Sequence, residues 1–118
     1  MHELGIMTGV VDSVSQAARE SGATRVLKVT LSVGVMTEAI EDALHFAFEV
    51  LTEQEPFFKG AELVVNMIEP KSRCAECGKD YVHDRFHMLC PECGGIGRLI
   101  EGREMRIESI EVDIPDPE

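Results

Sequence analysis

The organisation of this chain depends on residues 74–93, which read CAECGKDYVHDRFHMLCPEC. All four cysteines of the chain lie in this stretch, as two Cys-x-x-Cys pairs separated by twelve residues: Cys74, Cys77, Cys90 and Cys93. This spacing is typical of a tetrahedral metal site in which each pair holds the ion from a tight turn. A glycine follows each pair, and glycine permits the backbone conformation that points N–H groups at thiolate sulfur. The stretch therefore predicts two zinc knuckles that face each other, a zinc ribbon.

Other uses of four cysteines fit the sequence less well. Two disulfides require an oxidising compartment, and no export signal is apparent, so we expect a reducing, cytoplasmic setting. A redox Cys-x-x-Cys needs no second copy at this distance. An iron centre with four thiolates has similar spacing and stays open on sequence alone. Four protein ligands leave no position for a substrate, so we expect the metal to be structural.

The composition limits the class of protein. At 118 residues, 44% of them hydrophobic, the chain can build one small domain with a real core plus a metal-stapled module. It has 22 acidic and 11 basic residues, a net charge of -11, so on average it repels the phosphates of nucleic acid. One tyrosine and no tryptophan leave little for base stacking. We therefore expect no nucleic-acid partner and, since no apolar run is long enough to span a bilayer, no membrane partner.

Hydrophobic periodicity predicts the elements outside the cysteine stretch. Apolar residues at helical spacing indicate two helices, and alternation indicates three strands: helices over 3–21 and from an N-cap at Thr37 to Gln54, strands over 25–33, 61–68 and 103–114. Leu4 and Ile40 fall in the apolar stripes of the helices, and Leu27 falls on the apolar face of the first strand. Gly22 is expected to end the first helix. A change of phase near Ser109 predicts a β-bulge in the last strand.

These elements predict an α+β fold, with a two-layer domain of two helices on a three-stranded sheet and an inserted zinc-ribbon module. The last strand is too far from the cysteine pairs to belong to them and is expected to rejoin the first sheet. Residues 1–70 together with 101–118 are then the α/β domain, and residues 71–100 are the zinc-binding domain.

The first three residues, Met1-His2-Glu3, are the second group of interest. The terminal amine, the His2 amide nitrogen and the His2 imidazole are joined by short covalent links, so they can occupy three positions in one plane once a metal displaces the amide proton. Planar nitrogen coordination suits Ni(II) or Cu(II) rather than zinc. Glu3 could add a carboxylate or hydrogen-bond the imidazole. The alternative, an inert chain end with Glu3 as a favourable charge in the first helical turn, stays open on three residues alone.

Other polar residues give weaker indications. His83 and His87 lie between the cysteine pairs and could add zinc ligands, although solvent-facing loop residues are the expected outcome. All cysteines are committed to metal, no serine has a persuasive His–acid partner pattern, and no Gly-rich phosphate loop follows a strand. We therefore expect no catalytic residues and no organic cofactor, and predict that the protein is not an enzyme.

With these residues in view, the chain resembles the hydrogenase nickel-incorporation (maturation) protein family of the HypA/HybF type over essentially its full length. The resemblance rests on five segments whose order and spacing together are specific: Met1-His2-Glu3-Leu4, Ala43 to Glu49, Gly60-Ala61-Glu62-Leu63, the two cysteine pairs, and Gly102 to Val112. The fold it implies is similar to the two-layer domain with a zinc ribbon.

The resemblance implies a nickel metallochaperone that binds Ni(II) and delivers it during maturation of nickel–iron hydrogenase. By matched position, His2 is the principal nickel ligand, with Met1 and Glu3 as supporting groups, and the four cysteines hold structural Zn2+. Residues 1–70 with 101–118 are then the nickel-binding domain. The implied partners are the hydrogenase large subunit precursor, a GTPase nickel-maturation partner and, in some members, urease maturation proteins. A monomer or a homodimer is expected.

A zinc-ribbon protein-interaction adaptor without transferable metal is the alternative hypothesis, and it predicts bound zinc only. A small enzyme is a third hypothesis, which lacks a nucleophile and an open metal position. Nickel uptake separates the first two. Since the zinc module is inserted between strands of the nickel domain, we also expect zinc binding to influence nickel binding.

Overall fold

The computed structural model describes residues 2–116. Within this range the chain forms two helices and six strands: α1 (Glu3–Glu20), β1 (Arg25–Gly34), α2 (Glu41–Thr52), β2 (Glu62–Ile68), β3 (Lys71–Cys74), β4 (Asp80–Val82), β5 (Gly97–Glu101) and β6 (Met105–Asp113). One three-stranded sheet has the order β2-β1-β6, and a second has the order β4-β3-β5. The α+β prediction is confirmed, and the structure adds a sheet within the cysteine segment.

The first sheet forms one layer and the two helices form the other. Its central strand β1 pairs in parallel with β2 and antiparallel with β6. Parallel neighbours need a crossover connection, and the segment that contains α2 supplies it. The helices pack on each other and on the sheet. The core between the layers includes side chains with at most 1% exposure: Met7, Val14, Val29, Leu31 and Leu44.

Two irregularities shift the register between β1 and β6. Val26 pairs with Val112 but Lys28 pairs with Glu111, so Leu27 has no partner of its own in β6. This bulge turns Leu27 outward, where it is 37% exposed, and buries Val26. The prediction that Leu27 lies on the buried face is therefore wrong. The second irregularity falls next to Ser109, which confirms the predicted bulge in the last strand.

The helix ends differ in how well the sequence predicts them. At the end of α1, Gly22 has a φ of 84°, and the Ala23 N–H donates to Ala18 O at 3.0 Å, as in a glycine-terminated helix. The prediction of Thr37 as the N-cap of α2 is wrong. Thr37 ends a short 3-10 turn, where its hydroxyl donates to Gly34 O at 2.8 Å, and the N-cap is Ile40. Within residues 2–116, neither helix is long and apolar enough to cross a bilayer.

Two residues expected in the apolar stripes of the helices face solvent. Leu4 is 56% exposed and Ile40 is 63% exposed. Each lies at the start of its helix, before the first full turn that packs on the sheet. The stripes themselves begin at Met7 and Leu44, which are fully buried.

The two sheets are joined where two glycines meet. The chain leaves the first sheet through Pro70 and returns to it through Gly102. The Met36 N–H donates to Gly102 O at 2.8 Å, and the Gly34 N–H donates to Glu104 O at 2.8 Å. A Cβ atom on Gly34 would lie 2.0 Å from Gly102 O, so the backbones approach more closely than any side chain permits. This contact attaches the second sheet to the first at the point where the chain passes between them.

Candidate metal sites

The four cysteines converge at the second sheet. Cys74 is the last residue of β3, Cys77 follows in a turn, and Cys90 and Cys93 border the turn before β5. All four sulfur atoms lie within 4.8 Å of one another. Cys74 Sγ lies 3.4 Å from Cys93 Sγ, and Cys77 Sγ lies 3.7 Å from Cys90 Sγ. A disulfide bond is about 2.05 Å long, and all four cysteines are free thiols. The geometry is that of one four-thiolate metal site, as predicted.

Both cysteine pairs sit in the same kind of turn. The Gly78 N–H donates to Cys74 O at 3.0 Å, and the Gly94 N–H donates to Cys90 O at 2.9 Å. The two glycines have φ values of 76° and 72°, in the left-handed region that glycine adopts without strain. The first turn points the Cys77 N–H at Cys74 Sγ, 3.4 Å away. The predicted role of the two glycines is confirmed.

The crowded sulfur atoms have very different proton affinities. The N–H groups of Cys77 and Glu76 point at Cys74 and lower the pKa of its thiol to about 6. The Gly95 N–H acts in the same direction on Cys93, but contact with Cys74 and burial raise the pKa of the Cys93 thiol to about 12. One thiolate is thus favoured while its neighbour is held protonated. A divalent cation would resolve this conflict by pairing with all four thiolates, so the donor set fits zinc or a four-thiolate iron centre.

Gly95 shapes the cluster and was missed by sequence reasoning. A Cβ atom on this residue would lie 3.0 Å from Cys74 Sγ and 3.2 Å from Cys93 Sγ. A side chain here would crowd the two sulfur atoms, and glycine avoids that crowding. The Gly-Gly pair that follows Cys93 was the available indication.

Tyr81 also supports the cluster and was missed. It is buried on β4, and its hydroxyl donates to Met88 O at 2.6 Å, which ties β4 to the segment before the second cysteine pair. A Cβ atom on Gly97 would lie 2.0 Å from the hydroxyl oxygen, so the absence of a side chain there admits the ring. Its position between the cysteine pairs, as the one tyrosine of the chain, could have pointed to it.

The two histidines between the cysteine pairs have different surroundings. His83 is half-buried, with Nε2 at 2.7 Å from Ser72 Oγ and Nδ1 at 2.6 Å from Asp84 O. Because a carbonyl only accepts, Nδ1 donates to Asp84 O, and Nε2 shares a hydrogen bond with the Ser72 hydroxyl. His87 is 83% exposed and lies beside Asp84. The prediction of a solvent-facing loop residue is confirmed for His87 and wrong for His83, because Ser72 binds its ring.

At the other predicted site, His2 is the N-cap of α1 and its side chain is exposed. Its carbonyl accepts the Ile6 N–H at 3.1 Å, which is the first hydrogen bond of the helix. The N–H of an N-cap residue has no partner within its own helix, so the His2 amide nitrogen is outside the helical ladder. Met1, the supporting residue that the resemblance implies, lies outside the described residues.

Glu3 joins the two helices. Its Oε2 accepts the Ile40 N–H at 2.9 Å, and this hydrogen bond lowers the pKa of the carboxyl below its ordinary value of 4.5. Sequence reasoning placed Glu3 in the first helical turn but missed this contact with α2. Across residues 2–116, the cysteines are the one group of three or more His, Cys, Asp or Glu side chains close enough to hold an ion together. The nickel site at His2 and Glu3 therefore stays a prediction.

Comparison with known proteins places the chain in a family. Residues 1–112 match the family described as "Hydrogenase/urease nickel incorporation, metallochaperone, hypA". The chain belongs to this HypA family. It is similar to a hydrogenase maturation factor HypA from Caldanaerobacter subterraneus subsp. tengcongensis, 38% identical over 115 residues that cover 96% of this chain and 100% of that protein. A HypA from Geobacter metallireducens is 35% identical over 114 residues, with coverage of 96% and 100%.

A solved structure agrees with the HypA assignment at the level of fold. The solution structure of the nickel metallochaperone HypA from Helicobacter pylori aligns with a TM-score of 0.68 over 98% of this chain and 100% of that one. The sequence identity is 20%, so this likeness shows the fold alone. The family resemblance inferred from five short segments is confirmed by the HypA match over nearly the full chain.

Proposed function

We propose that this HypA family member carries Ni(II) at its first residues and delivers it during maturation of nickel–iron hydrogenase. The observation that supports this most strongly is that the family match begins at residue 1 and so includes Met1-His2-Glu3. His2 lies exposed at a helix start, where a recipient protein can reach it. A cargo site must release its metal, and an exposed site with few fixed ligands suits that task.

The proposed nickel site is rich in nitrogen. The Met1 amine, the His2 amide nitrogen and the His2 imidazole occupy three positions of a plane, an arrangement that suits Ni(II). Glu3 is a supporting group beside this chelate. Binding displaces the amide proton and requires a neutral imidazole, so nickel uptake releases protons and weakens as pH falls.

We assign structural Zn2+ to Cys74, Cys77, Cys90 and Cys93. The protein fills all four positions, which leaves none for a cargo or a substrate. The buried core of this segment consists of Cys74, Tyr81 and Cys90, so the ion would supply most of its folding free energy. In this proposal residues 71–100 are the zinc-binding domain, and residues 1–70 with 101–118 are the nickel-binding domain.

Delivery requires partners that take the nickel onward. We propose that the hydrogenase large subunit precursor receives the nickel and that a GTPase nickel-maturation protein assists the transfer. Urease maturation proteins are proposed as further partners because the family description includes urease. The chain acts in the cytoplasm as a monomer or homodimer. It catalyses no reaction of its own.

Nickel titration by calorimetry tests the proposal. A chain with a free Met1 amine is expected to bind about one Ni(II), and His2→Ala is expected to lose this binding while its zinc content stays unchanged. His45→Ala is the matched control, since His45 lies on α2 and not at the chain start. Residues fused ahead of Met1 remove the amine and should also abolish binding. Unchanged nickel affinity in His2→Ala would contradict the proposal.

The adaptor hypothesis has one observation in its favour. Phe86 and Ile96 in the zinc segment are 78% and 73% exposed, and large exposed apolar side chains favour a protein contact there. A carrier also needs such contacts, so this surface alone does not separate the two functions. Bound zinc without nickel uptake in the calorimetry would favour the adaptor.

A further inference from the structure

We propose that Glu3 is a positioning residue that holds the start of α1, and with it His2, against the start of α2. This inference rests on the proposed nickel site and deepens it. It assigns Glu3 the task of orienting the nickel-binding segment through a hydrogen bond to another helix, rather than the task of binding the metal.

The start of α2 depends on Glu3 because it lacks a cap of its own. The N-cap Ile40 has an extended conformation, with φ −94° and ψ 123°, and no side-chain hydrogen bond to the helix. A helix that begins with a capping box has a glutamate three residues after the N-cap, and its carboxylate accepts the N–H of the N-cap residue. Here that position is Ala43. The carboxylate of Glu3 accepts the Ile40 N–H instead, from 37 residues away.

This hydrogen bond constrains His2 through the backbone that joins it to Glu3. Glu3 is the first residue of α1, and His2 precedes it as N-cap, with φ −91° and ψ 73°. Anchoring the Glu3 side chain on α2 therefore restricts the backbone from which the His2 imidazole and amide nitrogen project. A ligand whose orientation is fixed before the metal arrives loses less conformational freedom on binding. One of the two Glu3 carboxylate oxygens is thus already engaged by the Ile40 N–H.

The charge of Glu3 can be separated from its hydrogen bond. Glu41 and Asp42 lie in the first turn of α2, next to Ile40, so negative charge at this end of the domain does not depend on Glu3 alone. Glutamine at position 3 retains an oxygen that can accept the Ile40 N–H, whereas alanine does not. A metal-binding carboxylate would not tolerate either change.

Nickel calorimetry on Glu3 variants distinguishes the two roles. Glu3→Ala is expected to weaken nickel binding about tenfold or more, the effect typical of losing a residue that orients a metal ligand. Glu3→Gln should stay within about threefold of the unmodified chain because the hydrogen bond persists. Asp42→Asn is the charge-matched control and should also stay within about threefold. An equal loss in Glu3→Gln and Glu3→Ala would show a ligand and overturn the proposal, as would an Ala variant with unchanged affinity.

A rescue variant separates positioning from simple helix stability. In Glu3→Ala, the additional change Ala43→Glu places a carboxylate where a capping box needs it. This change should restore the start of α2 without tying it to α1. We expect nickel binding to remain weak in the double variant. Recovery of nickel affinity would mean that Glu3 acts only through the stability of α2, and would overturn the positioning role.

The link itself can be measured without nickel. By NMR, amide hydrogen exchange at Ile40 should be faster in Glu3→Ala than in the unmodified chain and nearly unchanged in Glu3→Gln. If the unmodified chain takes up no nickel, the proposed function and this role fail together, while Ile40 protection still reports whether the link exists. If nickel binds but Ile40 is equally protected in all variants, only the positioning role is overturned.

Discussion

The cysteine cluster and the N-terminal segment differ in how much of a metal site the fold assembles. At the cluster, four sulfur atoms lie within 4.8 Å of one another and two of the cysteines are buried. At the chain start, His2 is exposed, and the contact that holds this end on α2 is the hydrogen bond from Ile40 to Glu3. Ligands that the fold brings together retain an ion, because release would expose a crowded set of charges. In the proposed function the cysteine cluster is therefore a closed site, and the exposed nickel site at Met1-His2-Glu3 is an open site that can pass its ion on.

Removal of one thiolate is expected to have the largest effect on the two sites. Cys77→Ser should release the zinc and unfold the second sheet, since structural zinc contributes on the order of 10 kcal/mol to small modules and the buried core here has three residues. The first sheet has a separate core and should stay folded. Elemental analysis gives the zinc content, and amide exchange gives the order of each sheet.

The matched control for this variant is Lys79→Ala, which changes an exposed side chain close to Cys77 without removing a ligand. The control should keep both zinc and the second sheet. A Cys77→Ser protein that retained its zinc and an ordered second sheet would show that the sheet, rather than the ion, organises the cysteines.

The closed site was predictable because its determinants are local in sequence. Each Cys-x-x-Cys pair and its glycine form one turn, so spacing alone indicates the geometry. The hydrogen bond between Glu3 and Ile40 at the open site was not predictable in the same way. It joins Glu3 to the backbone of Ile40, the N-cap of α2, across 37 residues of sequence. Composition and periodicity carry no information about such a contact.

The fold shows the same division between local and non-local determinants. Both helices and all three strands of the first sheet follow from periodicity, and Gly22 ends α1 as expected. The outward turn of Leu27 depends on a bulge in its pairing with β6, about 85 residues later in the chain. The support that Tyr81 gives the cluster likewise depends on the contact of its ring with Gly97 across the second sheet.

The contribution of the surrounding protein to the cysteine cluster can be measured apart from that of the ion. Tyr81→Phe removes the hydroxyl that donates to Met88 O and should lower the free energy of unfolding of the zinc-loaded protein by about 1 kcal/mol. Zinc should be retained, but its transfer to a chelator should be faster. Val82→Ala, at an exposed neighbour on β4, is the control and should leave both quantities unchanged. Zinc transfer at the same rate in Tyr81→Phe would mean that the thiolates alone hold the ion.

The smallest expected effect concerns acid at the open site. The Ile40 N–H lowers the pKa of the Glu3 carboxyl below 4.5, so the carboxylate is favoured in the folded protein. The link should therefore be complete above pH 4.5 and should be lost as pH falls through the lowered value. As pH falls, nickel should dissociate before the link is lost, because protons compete directly with nickel for the imidazole and the amide nitrogen. An NMR titration of the Ile40 amide in the nickel-free chain measures the link, and calorimetry at matched pH values measures nickel.

The order of these two events decides how the open site works. If nickel leaves first, the chain passes through a range of pH in which His2 is free of metal while Glu3 still holds α1 on α2, and the segment remains oriented for reloading. In Glu3→Gln the Ile40 amide should show no such acid transition, because the amide side chain does not titrate. An Ile40 transition at or above pH 4.5 would mean that the carboxylate gains nothing from this hydrogen bond. The start of the chain would then be held no more firmly than an ordinary helix end.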